Sequence, residues 1–262
     1  MSSSAQALTI HNRVPRVTVD FWLIKLLAVT VGETAADYLS DNLGLGLSNT
    51  TWLMSILLVA ALWLQFSQKQ YRPWIYWVAV VLISIVGTLI TDNMVDNLDI
   101  ALTTSTAFFS VALAATFAVW YAVEKTLSIH TIYTDRRELF YWLAILFTFS
   151  LGTAAGDLVA EQFGLGYLPA GLLFAGTIAV IVFAFYVLKL NAILTFWLAY
   201  ILTRPVGASL GDLLSQPVDN GGLGFGTVST SAIFLSCIAL VVIYMTLSHN
   251  GDEVISGAAR DG

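Results

Sequence analysis

Eight apolar stretches of about 20 residues each constrain the fold of this chain more than any other feature. A helix of that length, at a rise of about 1.5 Å per residue, crosses the roughly 30 Å hydrocarbon core of a bilayer. The chain is also 58% hydrophobic and 11% charged, with a mean hydropathy of +0.81, unlike an ordinary soluble domain. The sequence therefore predicts an all-α integral membrane protein with eight transmembrane helices. The predicted spans are residues 18–39, 51–67, 74–95, 102–123, 138–159, 168–189, 192–213 and 228–247.

One membrane domain is predicted between two tails. It covers residues 18–248, with an N-terminal tail at 1–17 and a C-terminal tail at 249–262. The first span lacks a small-residue cleavage site, so we interpret it as a retained helix. Cys237 is the single cysteine, which excludes a disulfide framework or a thiolate metal site within one chain.

The basic residues fall on one side of the predicted bilayer. The connections on the opposite side, around residues 40–50, 96–101, 161–167 and 215–227, contain no Lys or Arg. Because cytoplasmic loops are enriched in Lys and Arg, both termini are predicted to be cytoplasmic. The basic residues are Arg13, Arg16, Lys69, Arg72, Lys125, Arg136, Arg137, Lys189 and Arg260.

A short motif recurs at each odd-numbered span. Each copy reads Phe or Tyr, then Trp, nine residues, Gly, four residues and Asp. The four glycines are 55, 65 and 55 residues apart, as expected for a duplicated duplication. Two spans per unit give four parallel two-helix repeats with pseudo-fourfold symmetry. The repeats are 18–67, 74–124, 138–190 and 192–248, with Gly32, Gly87, Gly152 and Gly207, and with Asp37, Asp92, Asp157 and Asp212.

The motif places its four aspartates at one depth. Its aromatic pairs are predicted to form an interfacial belt, and each Asp lies 15 residues further on, about 22 Å along an α-helix. Polar residues recur four positions before and after each Asp and so share its helix face. We expect the four aspartates to face a common cavity, because ionisable groups at hydrocarbon depth rarely face lipid. The alternative is that they are solvated helix ends. The flanking residues are Glu33, Thr88, Thr153 and Ala208 before Asp, and Asp41, Asp96, Glu161 and Gln216 after it.

Arg204 is the only arginine inside a predicted span. Its predicted partner is Glu33, the deepest acid, and the two are expected to line the inner floor of the cavity. Pro205 removes a helix hydrogen bond and predicts a kink beside them. The alternative is a structural ion pair that locks the bundle. Lys25 is predicted to extend its amine to the membrane surface without a functional role.

These residues predict a cation site. Carboxylate oxygens suit hard divalent cations such as Mg²⁺ and Mn²⁺, which are possible bound or transported ions; no cofactor is expected. The metal ligands are predicted to be Asp37, Asp92, Asp157 and Asp212. The full predicted ion- or substrate-binding set is Glu33, Asp37, Asp92, Asp96, Asp157, Glu161, Arg204 and Asp212.

Three function classes follow from this site. The first is a transporter or channel for a cation, either a divalent metal or a proton-coupled solute. The second is a structural or sensory membrane subunit without transport activity. The third is an intramembrane enzyme, against which the missing Gly-x-Gly-Asp pattern and the lack of Lys or Arg at this face weigh; no catalytic residue is assigned. The expected partners are the bilayer and a small ion or solute, with no nucleic acid, and the oligomeric state stays open.

Three segments carry a family resemblance: VGETAADYLSDNLGLG, LGTAAGDLVAEQFGLGY and TRPVGASLGDLLSQPVDNGGLGFGT. They resemble a bacterial family of uncharacterised membrane-anchored proteins defined by a tandem transmembrane repeat of unknown function. The resemblance runs from about Pro15 to Leu247, and repeat two departs most, with TLITDNMVDNLDIA at the matching place. It implies a multi-pass protein of the bacterial inner membrane and no particular activity.

Overall fold

The computed structural model describes residues 10–248 and 254–255, and these contain eight long helices. The two short strands β1 (Ile10–His11) and β2 (Val254–Ile255) pair antiparallel. The other residues of the two predicted tails, Arg260 among them, lie outside the described residues. The helices are α1 (Val19–Asp37), α2 (Leu47–Phe66), α3 (Pro73–Asp92), α4 (Leu102–Glu124), α5 (Asp135–Asp157), α6 (Tyr167–Leu188), α7 (Ala192–Ser215) and α8 (Thr227–Ser248).

Seven of these helices are long and apolar enough to cross a membrane, so the chain is a multi-pass membrane protein. The exception is α1, which carries the charged residues Asp20, Lys25, Glu33 and Asp37. It packs against α3, α7 and α8. Three of its neighbours are membrane-crossing helices, and we infer that α1 crosses beside them with its charges turned inward.

The odd-numbered helices form a closed inner ring. The contacts run from α1 to α3, α3 to α5, α5 to α7 and α7 back to α1. All four begin at one end of the bundle, here called the basic end, and finish at the other, the acidic end. Because the motif aromatics of different repeats meet at one end and the acids meet at the other, the four repeats are parallel, as predicted.

The even-numbered helices surround this ring. Each packs mainly on the odd helix of the next repeat: α2 on α3, α4 on α5, α6 on α7 and α8 on α1. The two helices of one repeat therefore pack less on each other than on helices of neighbouring repeats. The turn at the acidic end carries each even helix sideways to its neighbour, and glycines with positive φ, such as Gly46 (φ 75°) and Gly166 (φ 78°), start α2 and α6 there.

The motif glycines let the inner helices approach closely, as the sequence indicated. A Cβ atom added at any of them would come within 3.0 Å of a side chain of the next inner helix, closer than real Cβ atoms pack. In every case the neighbour stands three residues before the motif glycine of its own repeat. The pairs are Gly32 with Ser84, Gly87 with Phe149, Gly152 with Arg204, and Gly207 with Val29.

Aromatic side chains close the basic end of the ring. The Tyr76 and Tyr141 hydroxyls are 2.5 Å apart, and the Phe21 ring lies 6.2 Å from that of Phe196. The predicted interfacial belt is therefore wrong for these residues, because most of them are packed between the inner helices rather than turned to headgroups. Those at most 4% exposed are Phe21, Tyr76, Trp77, Tyr141, Trp142 and Trp197.

The segment before α1 lies across this closed end. Asn12 donates to the Ile129 carbonyl (3.0 Å), and Val14 is fully buried. Arg13 forms ion pairs with Asp135 (2.5 Å) and Glu138 (2.7 Å). Burial alone would lower the pKa of Arg13, but these hydrogen bonds raise it above its usual value. The segment is thus bound to the start of α5 by ion pairs and to the loop before α5 by a neutral hydrogen bond.

Candidate cation-binding site

A polar cavity of about 170 Å³ opens at the acidic end, between the four inner helices. The four motif aspartates all line it, together with four of the acids at neighbouring helix positions. Ser40 and Gln216 supply further oxygen atoms. The acids around this cavity are Glu33, Asp37, Asp41, Asp92, Asp96, Asp157, Glu161 and Asp212.

Exposure of these acids decreases with depth. Asp41, Asp96 and Glu161 at the rim are exposed, and the next layer inward holds the half-buried Asp37, Asp92 and Asp157. The deepest are Asp212, 7% exposed, and Glu33, 6% exposed. The cavity is therefore a funnel whose negative charge continues to its floor.

A π-helical turn follows the motif Asp in the first three repeats. Its hydrogen bonds close over five residues, as from Leu43 N to Tyr38 O (2.9 Å) and from Phe163 N to Leu158 O (2.9 Å). Repeat four differs, because α7 stays α-helical to Ser215. π turns are rare and often occur at functional sites, where they change the direction of side chains. The three turns are Tyr38–Asn42, Asn93–Asn97 and Leu158–Gln162.

Three carboxylates converge at the floor of the cavity. One oxygen each of Glu33, Asp157 and Asp212 lie within 4.8 Å of one another. At that separation, two full charges repel by about 3.5 kcal/mol at an effective dielectric of ~20. The cluster can lower this energy by binding a cation or by holding a proton. Two of the predicted metal ligands, Asp157 and Asp212, belong to this cluster. The other two, Asp37 and Asp92, line the cavity outside it. Glu33 belongs to the cluster although it was not predicted to be a metal ligand.

Arg204 lies directly beneath this cluster. Its guanidinium pairs with Glu33 at 2.9 Å, which is the predicted partnership. It also donates to the Val29 carbonyl (3.1 Å) and the Phe149 carbonyl (3.4 Å). The remaining bonds go to the hydroxyls of Thr88 and Thr153. One side chain from α7 thus binds all three other inner helices.

This network changes the expected role of Arg204. The side chain is fully buried and is not among the lining residues, so the prediction that it lines the cavity floor is wrong. Its Nη2 atom donates to Glu33, which does line the cavity, and to the hydroxyls of Thr88 and Thr153. Pro205 does not interrupt α7, which is one helix from Ala192 to Ser215.

Lys25 does not reach the membrane surface, contrary to prediction. It is fully buried, and its amine donates to the Tyr200 carbonyl at 2.9 Å and to the Thr203 hydroxyl. The ammonium also lies 3.8 Å from the centroid of the Tyr200 ring, a cation–π contact. No carboxylate of the described residues forms an ion pair with it. Two buried basic side chains, Lys25 and Arg204, therefore lie between the cavity and the aromatic closure.

Sequence reasoning found the acids but missed how their support is built. Thr88 and Thr153 occupy the same repeat position as Glu33, and their hydroxyls hold the guanidinium beneath it. The signal was available in the aligned repeats as a polar residue directly after the motif glycine. Ser40 hydrogen-bonds Asp41 (2.9 Å), and of its repeat equivalents only Ser215 is polar, whereas Val95 and Ala160 are not, so the aligned repeats gave an incomplete signal for this position.

A protein-family model matches four consecutive segments of the chain, residues 21–71, 75–126, 140–191 and 195–250. Its description is Repeat of Unknown Function (DUF347). The segments coincide with the four structural repeats. No curated protein and no solved structure matched the chain.

Proposed function

The chain belongs to this family of repeats of unknown function, and from that premise we propose that it transports a cation through the acidic cavity. The main observation in support of this proposal is that all four inner helices direct carboxylates into one cavity of the membrane domain. Its lining includes no Lys or Arg from the described part of the chain. Buried like charges of this kind are costly unless a counter-charge arrives, and a cation supplies it.

The lining of the cavity narrows the class of cation. Eight carboxylates line it, with the Ser40 hydroxyl and the Gln216 amide, so its ligand atoms are mainly oxygens. A hard cation that exchanges some of its waters for carboxylate oxygens is favoured. Mg²⁺ and Mn²⁺ fit this description, and the oxygen-rich donor set disfavours zinc and copper.

The direction of opening follows from the charge pattern. We place the protein in a bacterial inner membrane with both termini in the cytoplasm, since the basic residues gather at the end where α1 begins. The acidic cavity then opens outward, and the aromatic closure lies toward the cytoplasm. On this proposal the conformation described here is open to the outside, and inward release of the cation requires the basic end to open.

Direct binding tests this proposal. Purified protein is titrated with Mn²⁺ and with Mg²⁺, and uptake into liposomes is then followed. We expect Asp157→Asn to weaken binding by at least about tenfold, or 1.4 kcal/mol, while thermal stability stays near that of the native chain. Asp219→Asn is the matched control, because Asp219 is an exposed acid at the same end outside the cavity. Equal affinities of the two variants would exclude the cavity as the site.

A structural role is the second candidate, and the Arg204 network is the observation that favours it. A side chain bonded to all three other inner helices stabilises the bundle whether or not an ion binds. On this alternative the native protein binds no Mn²⁺, and Asp37→Asn and Asp157→Asn change only the abundance of the protein. The same titration separates the two candidates.

A further inference from the structure

A second cavity lies on the outer surface of the bundle, at the basic end. It is a groove of about 750 Å³ between α6 on one side and α1 and α7 on the other. Its lining is mostly apolar and includes Trp22, Val182 and Phe185. It shares no lining residue with the acidic cavity.

The pseudo-fourfold symmetry gives this groove a counterpart beside α4, and that counterpart is filled by side chains. One repeat earlier, α4 packs on α5 beside α7, and its own aromatic side chains occupy the space. Trp120 is fully buried and lies 5.8 Å from the Trp197 ring, and Phe117 lies 4.8 Å from the same ring. The positions 65 residues further on are Val182 and Phe185, which line the open groove instead.

The two grooves also differ in the linker that follows the outer helix at the basic end. The segment 125–134 covers the filled groove, and the Leu127 carbonyl accepts a hydrogen bond from Trp197 Nε1 at 2.9 Å. The corresponding linker after α6 is only 189–191. Trp22 is the repeat equivalent of Trp197, and its indole N–H has no acceptor among the described residues. The open groove therefore lacks both the filling side chains and the covering loop of its counterpart.

Two basic residues adjoin this groove in the sequence. Arg16 precedes the lining residue Val17, and Lys189 lies in the short linker between α6 and α7; both are exposed. The N-termini of α1 and α7 begin at the same place, which adds positive potential from the helix dipoles. Asp20 is the one acid in the first turn of either helix.

We propose that this groove binds an anionic phospholipid. An acyl chain takes the place that Phe117 and Trp120 fill in the equivalent groove, along Val182 and Phe185. The phosphate lies near Lys189 and Arg16, and an ester or phosphate oxygen accepts the hydrogen bond from Trp22. Basic pockets between membrane helices recognise anionic headgroups in this way, whereas apolar surface alone would accept any lipid.

Thermal unfolding with added lipid tests the site, in detergent and without any divalent cation. Phosphatidylglycerol is expected to raise the Tm of the native chain by about 5 °C, and phosphatidylcholine by much less. Lys189→Gln should lose at least half of this rise. Lys125→Gln is the matched control, because Lys125 also follows its helix with a φ of 56°, but beside the filled groove. Native mass spectrometry counts the lipids that remain bound.

A graft from the neighbouring repeat gives a second, independent variant. Val182→Phe with Phe185→Trp copies the side chains of α4 into α6, and should raise the Tm without lipid while abolishing the response to phosphatidylglycerol. An undiminished response in both this graft and Lys189→Gln overturns the proposal, as does an equal rise with phosphatidylcholine. If the graft does not fold, the comparison of Lys189→Gln with Lys125→Gln decides alone. Because no cation is present, the result does not depend on the proposed transport activity.

Discussion

At the scale of single residues, Arg204 connects the inner ring more directly than any other side chain described. Its guanidinium holds the buried Glu33 and backbone carbonyls of α1 and α5. A buried ion pair seldom adds much stability over a well-packed apolar pair, but removal of one partner leaves an uncompensated charge. The network therefore fixes the arrangement of the inner helices more than it raises their total stability.

A double-mutant cycle should reveal this coupling. Arg204→Met is expected to lower the free energy of unfolding by about 3–5 kcal/mol, because Glu33 and two backbone carbonyls lose their donor. Glu33→Gln combined with Arg204→Met should cost less than the sum of the single changes, since no unpaired charge remains. Unfolding in detergent measures all three variants. If the effects of the two single substitutions on the free energy of unfolding simply add, Glu33 and Arg204 are not energetically coupled.

Gly152 offers a sharper test of packing at the same level. A methyl group there would meet the Arg204 side chain within 3.0 Å and displace it from its partners, so we expect Gly152→Ala to destabilise the protein by about 1–3 kcal/mol. Gly176 in α6 has nothing within 4 Å of an added Cβ. Gly176→Ala should therefore be neutral or slightly stabilising in the same unfolding assay. Equal effects at both sites would show that close approach is not the reason for the motif glycine.

At the scale of helices, the aligned repeats predicted most of the fold. The spans at 74–95 and 192–213 correspond to α3 and α7, and the convergence of the four aspartates followed from their common position in parallel units. The π turns were not predictable, because the competing hydrogen-bond patterns differ by only one residue in register. The sideways packing of the even helices was also missed, since a helix that is apolar on every side has no distinct face that selects one neighbour in lipid.

Two misjudged residue types have a common cause. Aromatic pairs and a lysine near a helix start are usually interfacial in single membrane helices. Here the ring of four helices buries Trp77, Trp142 and Lys25, because each lies on the face that turns toward the other inner helices. Hydropathy along one chain does not show which face is internal, and only the tertiary arrangement decides it.

Helix orientation can be tested by labelling cysteines at the connections. In a Cys237→Ala background, cysteine at Ser48 or Asn220 should react with an impermeant thiol reagent from outside, since both sites are exposed at the acidic end. Cysteine at Gln70 or Thr134 should react only after the membrane is permeabilised. The reverse pattern would invert the orientation and turn the acidic cavity toward the cytoplasm.

At the scale of the whole molecule, the ring is closed by contacts between the first and last quarters of the sequence. The last helix, α8, packs on α1, and the Thr34 and Ser231 hydroxyls lie 2.6 Å apart between them. The pairing of β1 with β2 joins the same quarters beyond the helices. Four repeats are thus the number that completes the ring, and a chain of three would leave α1 without two of its neighbours.

This closure has a consequence for synthesis. Helix α1 contains Lys25 and Glu33, whose partners Tyr200 and Arg204 are translated more than 170 residues later. Until then α1 carries uncompensated charge that opposes entry into lipid. We expect a chain truncated after residue 190 to leave α1 accessible to protease, and Lys25→Leu with Glu33→Leu to restore its insertion. Full protection of α1 in the truncated chain would contradict this. If α1 is instead accessible in the truncated chain, the fourth repeat acts as a checkpoint, because α1 enters the membrane stably only after its partners in α7 have been made.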